Sequence, residues 1–196
     1  MPQKISTTPS VLQWTLEDAY RGPGHLVRRL QQIAVGIFID EFKSIDITPV
    51  QYMALVAVRD RPGLEQQAIA DLIAIDRSSA GRVFQFLEDS GFVQRVTPKN
   101  NRRTKQAFVT PAGTRLLNNC SKLIRKAEER ILKVLNAQEQ KQFMQLLVKL
   151  VDINNTQSRA PLRIDIPGNG KRSSASPPAD ALAVIDGRGR LKGRGL

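Results

Sequence analysis

The sequence has few of the residues that build metal centres, disulfides and membrane spans. One cysteine and one histidine among 196 residues exclude an intramolecular disulfide framework and leave too few soft ligands for an ordinary structural zinc site. No uninterrupted apolar run is long enough to cross a bilayer, and the first ten residues, MPQKISTTPS, lack the apolar stretch of a secretory signal. We therefore expect a protein of the reducing cytoplasm that needs no metal and no cofactor and does not enter a membrane.

Groups arranged for catalysis are also missing. The carboxylates of Asp40 and Glu41 are neighbours in sequence, as are those of Glu128 and Glu129. Adjacent residues on a helix point in different directions, whereas a general acid and base must converge on one substrate. The chain has no second histidine, no glycine-rich phosphate loop and no nucleophile elbow. The sequence therefore predicts that the protein is not an enzyme.

Basic residues are present in excess, with 30 Lys and Arg against 18 Asp and Glu and a formal charge of +12. Such a charge on a small protein points first to nucleic acid. Residues 77–105 hold seven basic side chains and two acidic ones. Residues 156–196 hold eight basic and three acidic side chains, and 14 of these 41 positions are Gly, Pro or Ser. This composition predicts a mostly disordered basic tail.

Apolar residues at helical spacing predict long helices at both ends of the ordered region. The first helix covers about residues 23–42, and two more follow the capping residues Thr110 and Asn136. The stripe after Thr110 is about five turns long, which is more than so small a domain can cover. A twofold dimer buries such stripes with one self-complementary surface. We predict a homodimer with dimerisation helices in residues 22–46 and 111–155, preceded by an N-terminal arm, residues 1–21.

The middle of the chain, residues 47–110, has the pattern of a winged helix-turn-helix. A short helix over about residues 65–73 is followed, after three or four residues, by a helix that Asp76 caps. Apolar β-type runs then flank the polar segment PKNNRR, residues 98–103, which predicts a two-stranded hairpin with a basic tip. The predicted fold class is mainly α with a small β-hairpin wing (α+β).

Four segments in this order carry a family resemblance: ITPVQYMAL (47–55), AIADLI (68–73), DRSSAGRVFQFLEDSGFV (76–93) and NNRRTKQAFVTPAG (100–113). Together they resemble the MarR family of winged helix-turn-helix transcriptional regulators. The resemblance implies a homodimer that binds operator DNA, usually represses transcription, and releases DNA when a small ligand or an oxidant alters the dimer. Wings of the family usually carry an acidic residue two positions before the wing-tip arginine. Here Asn101 precedes Arg103, so a hydrogen bond is the most that this pair can form.

Polar and basic side chains of the helix-turn-helix and the wing are predicted to contact DNA. The first turn of the second helix, the recognition helix, faces base edges in the major groove. Amides that begin the preceding helix can clamp a phosphate, and wing arginines suit a narrow minor groove. An ordinary solvated surface is the alternative for each group. The predicted DNA contacts are Gln66, Gln67, Arg77, Ser78, Ser79, Arg82, Arg95, Asn101, Arg102, Arg103 and Lys105.

The segment HLVRR, residues 25–29, suggests a second site. Arg29 lies beside the apolar stripe of the first long helix, where its guanidinium can hold a carboxylate bidentately. In the family that the chain resembles, effectors often occupy a crevice between the dimerisation helices and the DNA-binding lobe. This suggests an aromatic acid or its acyl-CoA thioester as effector. The alternative is that the charges pair with Asp40, Glu41 or a partner chain. The candidate effector contacts are His25, Arg28, Arg29, Phe38 and Tyr52.

Cys120 falls on an apolar stripe, which favours an inert buried thiol over a redox sensor.

The function that best fits these features is a ligand-responsive, sequence-specific repressor that acts as a homodimer on a palindromic operator in double-stranded DNA. Two alternatives stay open. One is an architectural DNA-binding protein without effector response that attaches mainly through its basic tail. The other is a protein-interaction module whose long helices recruit a partner.

Overall fold

A computed structural model describes residues 14–98 and 104–164 of the chain. Seven α-helices, one hairpin and a short 3-10 turn follow each other in this part of the chain. They are α1 (Leu16–Arg21), α2 (Pro23–Glu41), α3 (Pro49–Asp60), α4 (Gln66–Leu72), α5 (Arg77–Asp89), β1 (Val93–Val96), β2 (Gln106–Val109), α6 (Pro111–Leu132), α7 (Ala137–Ile153) and the 3-10 turn Asn155–Gln157. The predicted fold class, mainly helical with a two-stranded hairpin, is confirmed. In the described ranges no helix has both the length and the apolar character that a membrane span requires.

Local capping chemistry decides where the helices of the middle region begin. The Thr48 hydroxyl accepts the Gln51 N–H at 3.3 Å, and the Gln51 side chain accepts the Thr48 N–H at 2.8 Å. This reciprocal pair satisfies two backbone donors that the first turn of α3 would otherwise leave unpaired. Asp76 caps α5 and Thr110 caps α6 by a single such bond each, in which the side-chain oxygen accepts the N–H of the residue three positions on. All three predicted helix starts are therefore confirmed.

The hairpin β1–β2, called the wing below, is antiparallel, with Val93 opposite Val109 and Val96 opposite Gln106. A backbone ladder ties its second strand to the loop after α3. The Gly63 N–H donates to the Ala107 carbonyl, and the Ala107 N–H donates to the Leu64 carbonyl, both at 2.9 Å. The wing is thus anchored to the helical lobe by β2. Residues 99–103, which include the predicted contacts Asn101, Arg102 and Arg103, lie outside the described residues.

Two buried clusters form the core. The larger one lies in the DNA-binding lobe, where α3, α4, α5 and the wing meet around Leu55, Ile69 and Phe84. The smaller one joins α2 to α6 and contains Phe38, Phe42, Ile47 and Cys120. Cys120 is fully buried there, which confirms that it packs as an apolar residue.

Both ends of the described chain are more structured than the sequence analysis expected. The N-terminal arm contains α1, which begins at a reciprocal cap between Thr15 and Asp18. After α7 the chain does not turn directly into a tail, because residues 155–164 form a strap that returns to α4. We call these residues the C-terminal strap. The ordered chain therefore continues past the predicted tail boundary at Thr156, and the rest of the predicted tail, residues 165–196, lies outside the described part of the chain.

Candidate DNA-binding surface and effector site

The first turn of α5 is organised around the Asp76 carboxylate. It accepts the Ser78 hydroxyl at 2.6 Å, the Ser79 N–H at 2.9 Å and the Ser79 hydroxyl at 2.7 Å. These hydrogen bonds hold the pKa of Asp76 well below its usual range, so the carboxylate is charged at neutral pH. Its negative charge is engaged with the helix start, and both serine oxygens keep free lone pairs toward solvent.

Two cations extend from this turn and the next. Arg77 and Arg82 are exposed, and neither forms an ion pair within the residues that the structure describes. The only side-chain partner of Arg82 in that part is the Ser79 hydroxyl, at a long 3.5 Å. The exposed surface of the first turn is therefore basic, as the sequence predicts.

A cleft of about 350 Å³ separates this turn from the wing. It brings five of the predicted DNA contacts to one place, because α4, α5 and the wing all border it. The lining residues are Glu65, Gln66, Gln67, Arg77, Arg95, Thr104 and Lys105. Lys105 and Gln67 are exposed, and the Gln67 amide donates to the Asp71 carboxylate at 2.8 Å. A phosphate-sized group entering this cleft meets two cations, Arg77 and Lys105, that form no ion pair with any described residue.

Arg95 differs from the other predicted contacts because its guanidinium is engaged inside the protein. Its side chain is 16% exposed. It donates from Nε to the Glu88 carboxylate at 2.8 Å, from Nη2 to the same carboxylate, and from Nη1 to the Gln66 side chain at 3.1 Å. The predicted direct DNA contact is therefore corrected: Arg95 joins the end of α5, the start of α4 and the wing. Gln66 keeps its amide donors, since only its oxygen is bonded to Arg95.

The five predicted effector contacts fall into two separate groups. His25 lies at the start of α2, where its ring is 5.3 Å from that of Tyr20 in α1. Phe38 and Tyr52 lie in the smaller core cluster, with ring centroids 6.3 Å apart. Phe38 follows His25 by 13 positions, which is about 20 Å along a helix. A small aromatic acid cannot contact both groups in one chain, so the five-residue site stays a prediction only for the longer acyl-CoA thioester.

The Tyr52 side chain is half-buried against the smaller core cluster, and the Cys120 side chain is buried within that cluster. Burial raises the pKa of the Tyr52 hydroxyl above its usual value and likewise raises the pKa of the Cys120 thiol. A raised thiol pKa lowers the thiolate fraction at neutral pH, and the thiolate is the reactive form. The geometry around Cys120 is that of a structural cysteine.

The carboxylates suggested as alternative partners for residues 25–29 already pair with other cations. The Arg130 guanidinium donates to Asp40 at 2.6 Å and also to Glu41, and Lys126 lies 2.8 Å from Glu41. These cations of α6 hold the pKa values of Asp40 and Glu41 below their usual range. The suggested pairing of residues 25–29 with Asp40 and Glu41 is therefore wrong. Arg28 and Arg29 are exposed.

An apolar cavity that the sequence analysis did not anticipate lies between α2, α6 and α7. Its volume is about 570 Å³, which is within the range of small-molecule sites. Aliphatic and aromatic side chains form most of its wall, with Gln31 and Glu128 as the polar members. The lining residues are Val27, Leu30, Gln31, Ala34, Glu128, Ile131, Leu132, Phe143, Met144 and Leu147. The apolar stripes of the three helices were the available signal, but they do not reveal that the helices are splayed.

Comparison with known proteins agrees with this geometry. Residues 47–105 match the MarR family model. The uncharacterized HTH-type transcriptional regulator YybA of Bacillus subtilis is 34% identical over 101 residues, which cover 52% of this chain and 65% of YybA. The chain thus spans just under two thirds of that relative. The HTH-type transcriptional repressor NicR of Pseudomonas putida is 26% identical over 152 residues, 78% of this chain and 96% of NicR.

A solved structure adds a match in three dimensions. It is that of BpsR from Bordetella bronchiseptica, whose DNA binding is regulated by 6-hydroxynicotinic acid. The TM-score is 0.64 at 25% identity, over 68% of this chain and 95% of that one. The resemblance in sequence is thereby confirmed in both sequence and fold. Residues 47–105 are thus similar in sequence to the MarR family of transcriptional regulators, and the fold is similar to that of BpsR.

Proposed function

We propose that the protein is a sequence-specific repressor that binds a twofold operator as a homodimer and releases it when a small aromatic acid, or its acyl-CoA thioester, binds. The observation that carries this proposal is the first turn of α5. There a capped helix start exposes Arg77 and Arg82 beside a cleft that α4 and the wing complete. A recognition helix presents such a turn to base edges in the major groove.

The polar groups around the first turn of α5 suit two kinds of DNA contact. Arg77 can donate bidentately to guanine, and the serine oxygens can accept from cytosine or adenine amino groups. Lys105 and the free amide of Gln66 face the same cleft and suit phosphate oxygens, which fix register without carrying sequence information. Arg102 and Arg103 stay predictions for the minor groove.

Homodimer formation is supported by apolar side chains that one copy leaves in water. They occur on α1, α2 and α7, the elements at the two ends of the described chain. Those at least 48% exposed include Trp14, Leu16, Tyr20, Leu26, Val27, Ile33, Ile39, Leu146, Val148, Leu150, Val151 and Ile153. A twofold interface covers such a surface on both chains at once, and it places two recognition helices on one operator.

The apolar cavity between α2, α6 and α7 is the better place for an aromatic effector. Arg28 follows Val27 and lies one helical turn before Gln31, and both of these residues line the cavity. A ring within the cavity therefore leaves its carboxylate within reach of the exposed Arg28 guanidinium. The regulation of BpsR by an aromatic acid and the name of NicR as a repressor support this reading by similarity.

The test is a fluorescence-anisotropy titration of the full chain on its own upstream DNA, repeated across a salt series. Roughly four phosphate contacts per subunit give a log–log salt slope near −7. Arg77→Ala is expected to weaken operator binding by about 5- to 150-fold, whereas Arg125→Ala, which removes an exposed arginine from α6, is the matched control. Binding that hardly changes between 50 and 200 mM salt contradicts the proposal.

The effector is tested by repeating the titration with aromatic acids and their CoA esters. An effector must prefer the free dimer over the DNA-bound one by on the order of 1–3 kcal/mol. Arg28→Ala is expected to weaken this response without changing DNA binding in the absence of ligand. Equal affinity of every compound for free and DNA-bound protein rules out effector control by this class of ligand.

A further inference from the structure

The C-terminal strap is closed by one asparagine. The Asn155 side chain accepts the Leu162 N–H at 2.8 Å and donates to the Leu162 carbonyl at 2.9 Å. This two-bond clamp returns the chain on itself directly after α7. Pro161 stiffens the returning segment because its ring fixes one backbone dihedral. The strap therefore has a defined shape although its sequence is polar.

The strap is attached to the helix-turn-helix. The Arg163 N–H donates to the Asp71 carbonyl at 3.0 Å. Asp71 lies in the last turn of α4, where carbonyls have no partner within the helix. Ala160, Pro161 and Leu162 are half-buried, so the attachment also covers apolar surface. The strap thus acts as an external cap on α4.

The attachment places the strap beside the first turn of the recognition helix. A cleft of about 650 Å³ lies between them. Its walls come from the start of α3, the turn between α4 and α5, the start of α5, and the strap. The lining residues are Val50, Ala74, Ile75, Asp76, Ser78, Ser79, Ser158, Arg159 and Ala160. None of them lines the cleft on the wing side, so the first turn of α5 has the wing on one flank and the strap on the other.

Two exposed cations, Arg159 and Arg163, lie on this flank. The nearby carboxylates are engaged elsewhere, since Asp76 accepts from Ser78 and Ser79 and Asp71 accepts from Gln67. Beyond Ile164 the sequence continues with six Lys or Arg and three Asp. Positive charge therefore continues from the recognition helix into the strap.

We propose that the C-terminal strap is a second DNA-contacting element, in which Arg159 and Arg163 bind phosphates on the flank of the recognition helix opposite the wing. The inference rests on the proposed function, because it needs the first turn of α5 to lie against DNA. Guanidinium groups that border the groove-facing turn meet the backbone before they meet base edges. The strap thus adds affinity and salt dependence, and leaves sequence preference to α5.

The test uses the full chain with both strap arginines replaced, Arg159→Ala/Arg163→Ala, in the same anisotropy assay. Each lost phosphate contact makes the log–log salt slope shallower by about 0.9, so two contacts in each of two subunits change it by about 3.6. The ratio of operator to scrambled-DNA affinity is expected to stay within twofold. The matched control is Lys122→Ala/Arg125→Ala, which removes two exposed cations from α6.

A second variant separates the position of the strap from its charge. Asn155→Ala removes both bonds of the clamp but keeps both arginines. Hydrogen exchange at the Arg163 amide is expected to accelerate, because its bond to Asp71 is no longer held in place. DNA affinity is expected to fall in the same direction as in the double variant, at unchanged net charge.

The possible outcomes distinguish a failure of this inference from a failure of the proposed function. If the wild-type chain binds its operator and the double variant has the same salt slope, the strap does not contact DNA and only the inference fails. If the double variant binds more tightly, the strap covers the recognition helix, and the inference is overturned. If the wild-type chain shows no preference for any upstream sequence, the proposed function fails as well.

Discussion

Replacing Gly113 by alanine is expected to destabilise the protein, although the same change inside a helix is normally stabilising. Gly113 lies in the first turn of α6, directly behind the wing, and is buried. A Cβ atom built on it overlaps the Phe92 carbonyl oxygen and lies 2.9 Å from Val109 Cγ1 and 3.1 Å from the Phe92 carbonyl carbon. Two of these three atoms belong to the backbone and cannot rotate away.

The magnitude follows from opposing contributions. Alanine is better than glycine in a helix interior by about 1 kcal/mol. Overpacking a filled site costs about 1–3 kcal/mol, and the backbone overlap here favours the upper end. The displaced Phe92 carbonyl also accepts the Thr110 N–H at 3.0 Å, a bond worth about 1 kcal/mol. The expected net loss in the free energy of unfolding is therefore about 2–3 kcal/mol.

Urea unfolding at one fixed protein concentration measures this change, since the midpoint of an oligomer shifts with concentration. The matched control is Gly81→Ala in α5, where a Cβ meets nothing within 4 Å. This variant is expected to gain up to about 1 kcal/mol. A Gly113→Ala midpoint equal to or above that of wild type refutes the packing argument. Equal losses in both variants refute it too, because only at Gly113 does an added Cβ overlap other atoms.

Three further predictions concern Asp76, Cys120 and the Arg95–Glu88 ion pair. The pKa of Asp76 is held well below its usual value, so the stability that Asp76→Ala removes is fully present above about pH 4 and is lost progressively as the pH falls through the folded-state pKa; the gap between the urea midpoints of the two proteins is expected to stay constant from pH 7 to about pH 5 and to narrow, without closing, by pH 3, and a gap that does not change with pH would contradict the assignment. Native Cys120 is expected to resist iodoacetamide at pH 7.5, and peroxide is expected to leave operator affinity unchanged; rapid alkylation with loss of DNA binding would point to a redox sensor. A double-mutant cycle of Arg95→Ala and Glu88→Ala is expected to give a coupling energy of about 1 kcal/mol, and additive losses would show that the pair is not formed in solution.

The sequence predicts this fold best where the physical cause is local. Thr48 and Gln51 cap each other across three residues, and Asp76 accepts the Ser79 N–H at the start of α5 over the same distance. Such bonds form from neighbouring groups alone, so residue type and spacing suffice to place them. The hairpin follows in the same way from short apolar runs on either side of a polar segment. Capping residues therefore locate the start of the recognition helix, and the runs of apolar residues locate the two strands of the wing.

Contacts between distant segments leave no such signal. The sequence alone predicts Arg95 as a DNA contact, because a basic residue near a wing resembles any other in sequence. Its partner Gln66 is 29 positions away, and Arg130 lies 90 positions from Asp40. The split of the predicted effector contacts is different, because the 13 positions between His25 and Phe38 already fix a separation of about 20 Å on one helix. That spacing excludes a small aromatic acid that contacts both ends, and it does so without a structure.

The C-terminal strap shows what composition alone leaves out. Residues 156–164 contain Ser, Pro and two Arg, and their composition is that of a tail. Their position depends on one asparagine clamp and one backbone bond to α4. Since α6 starts directly after β2, while α7 ends in the strap, both ends of the α6–α7 pair are attached to the DNA-binding lobe. One attachment is on the wing side of the first turn of α5 and the other is on the strap side. The two attachments therefore hold both ends of the α6–α7 pair against the lobe that carries the recognition helix.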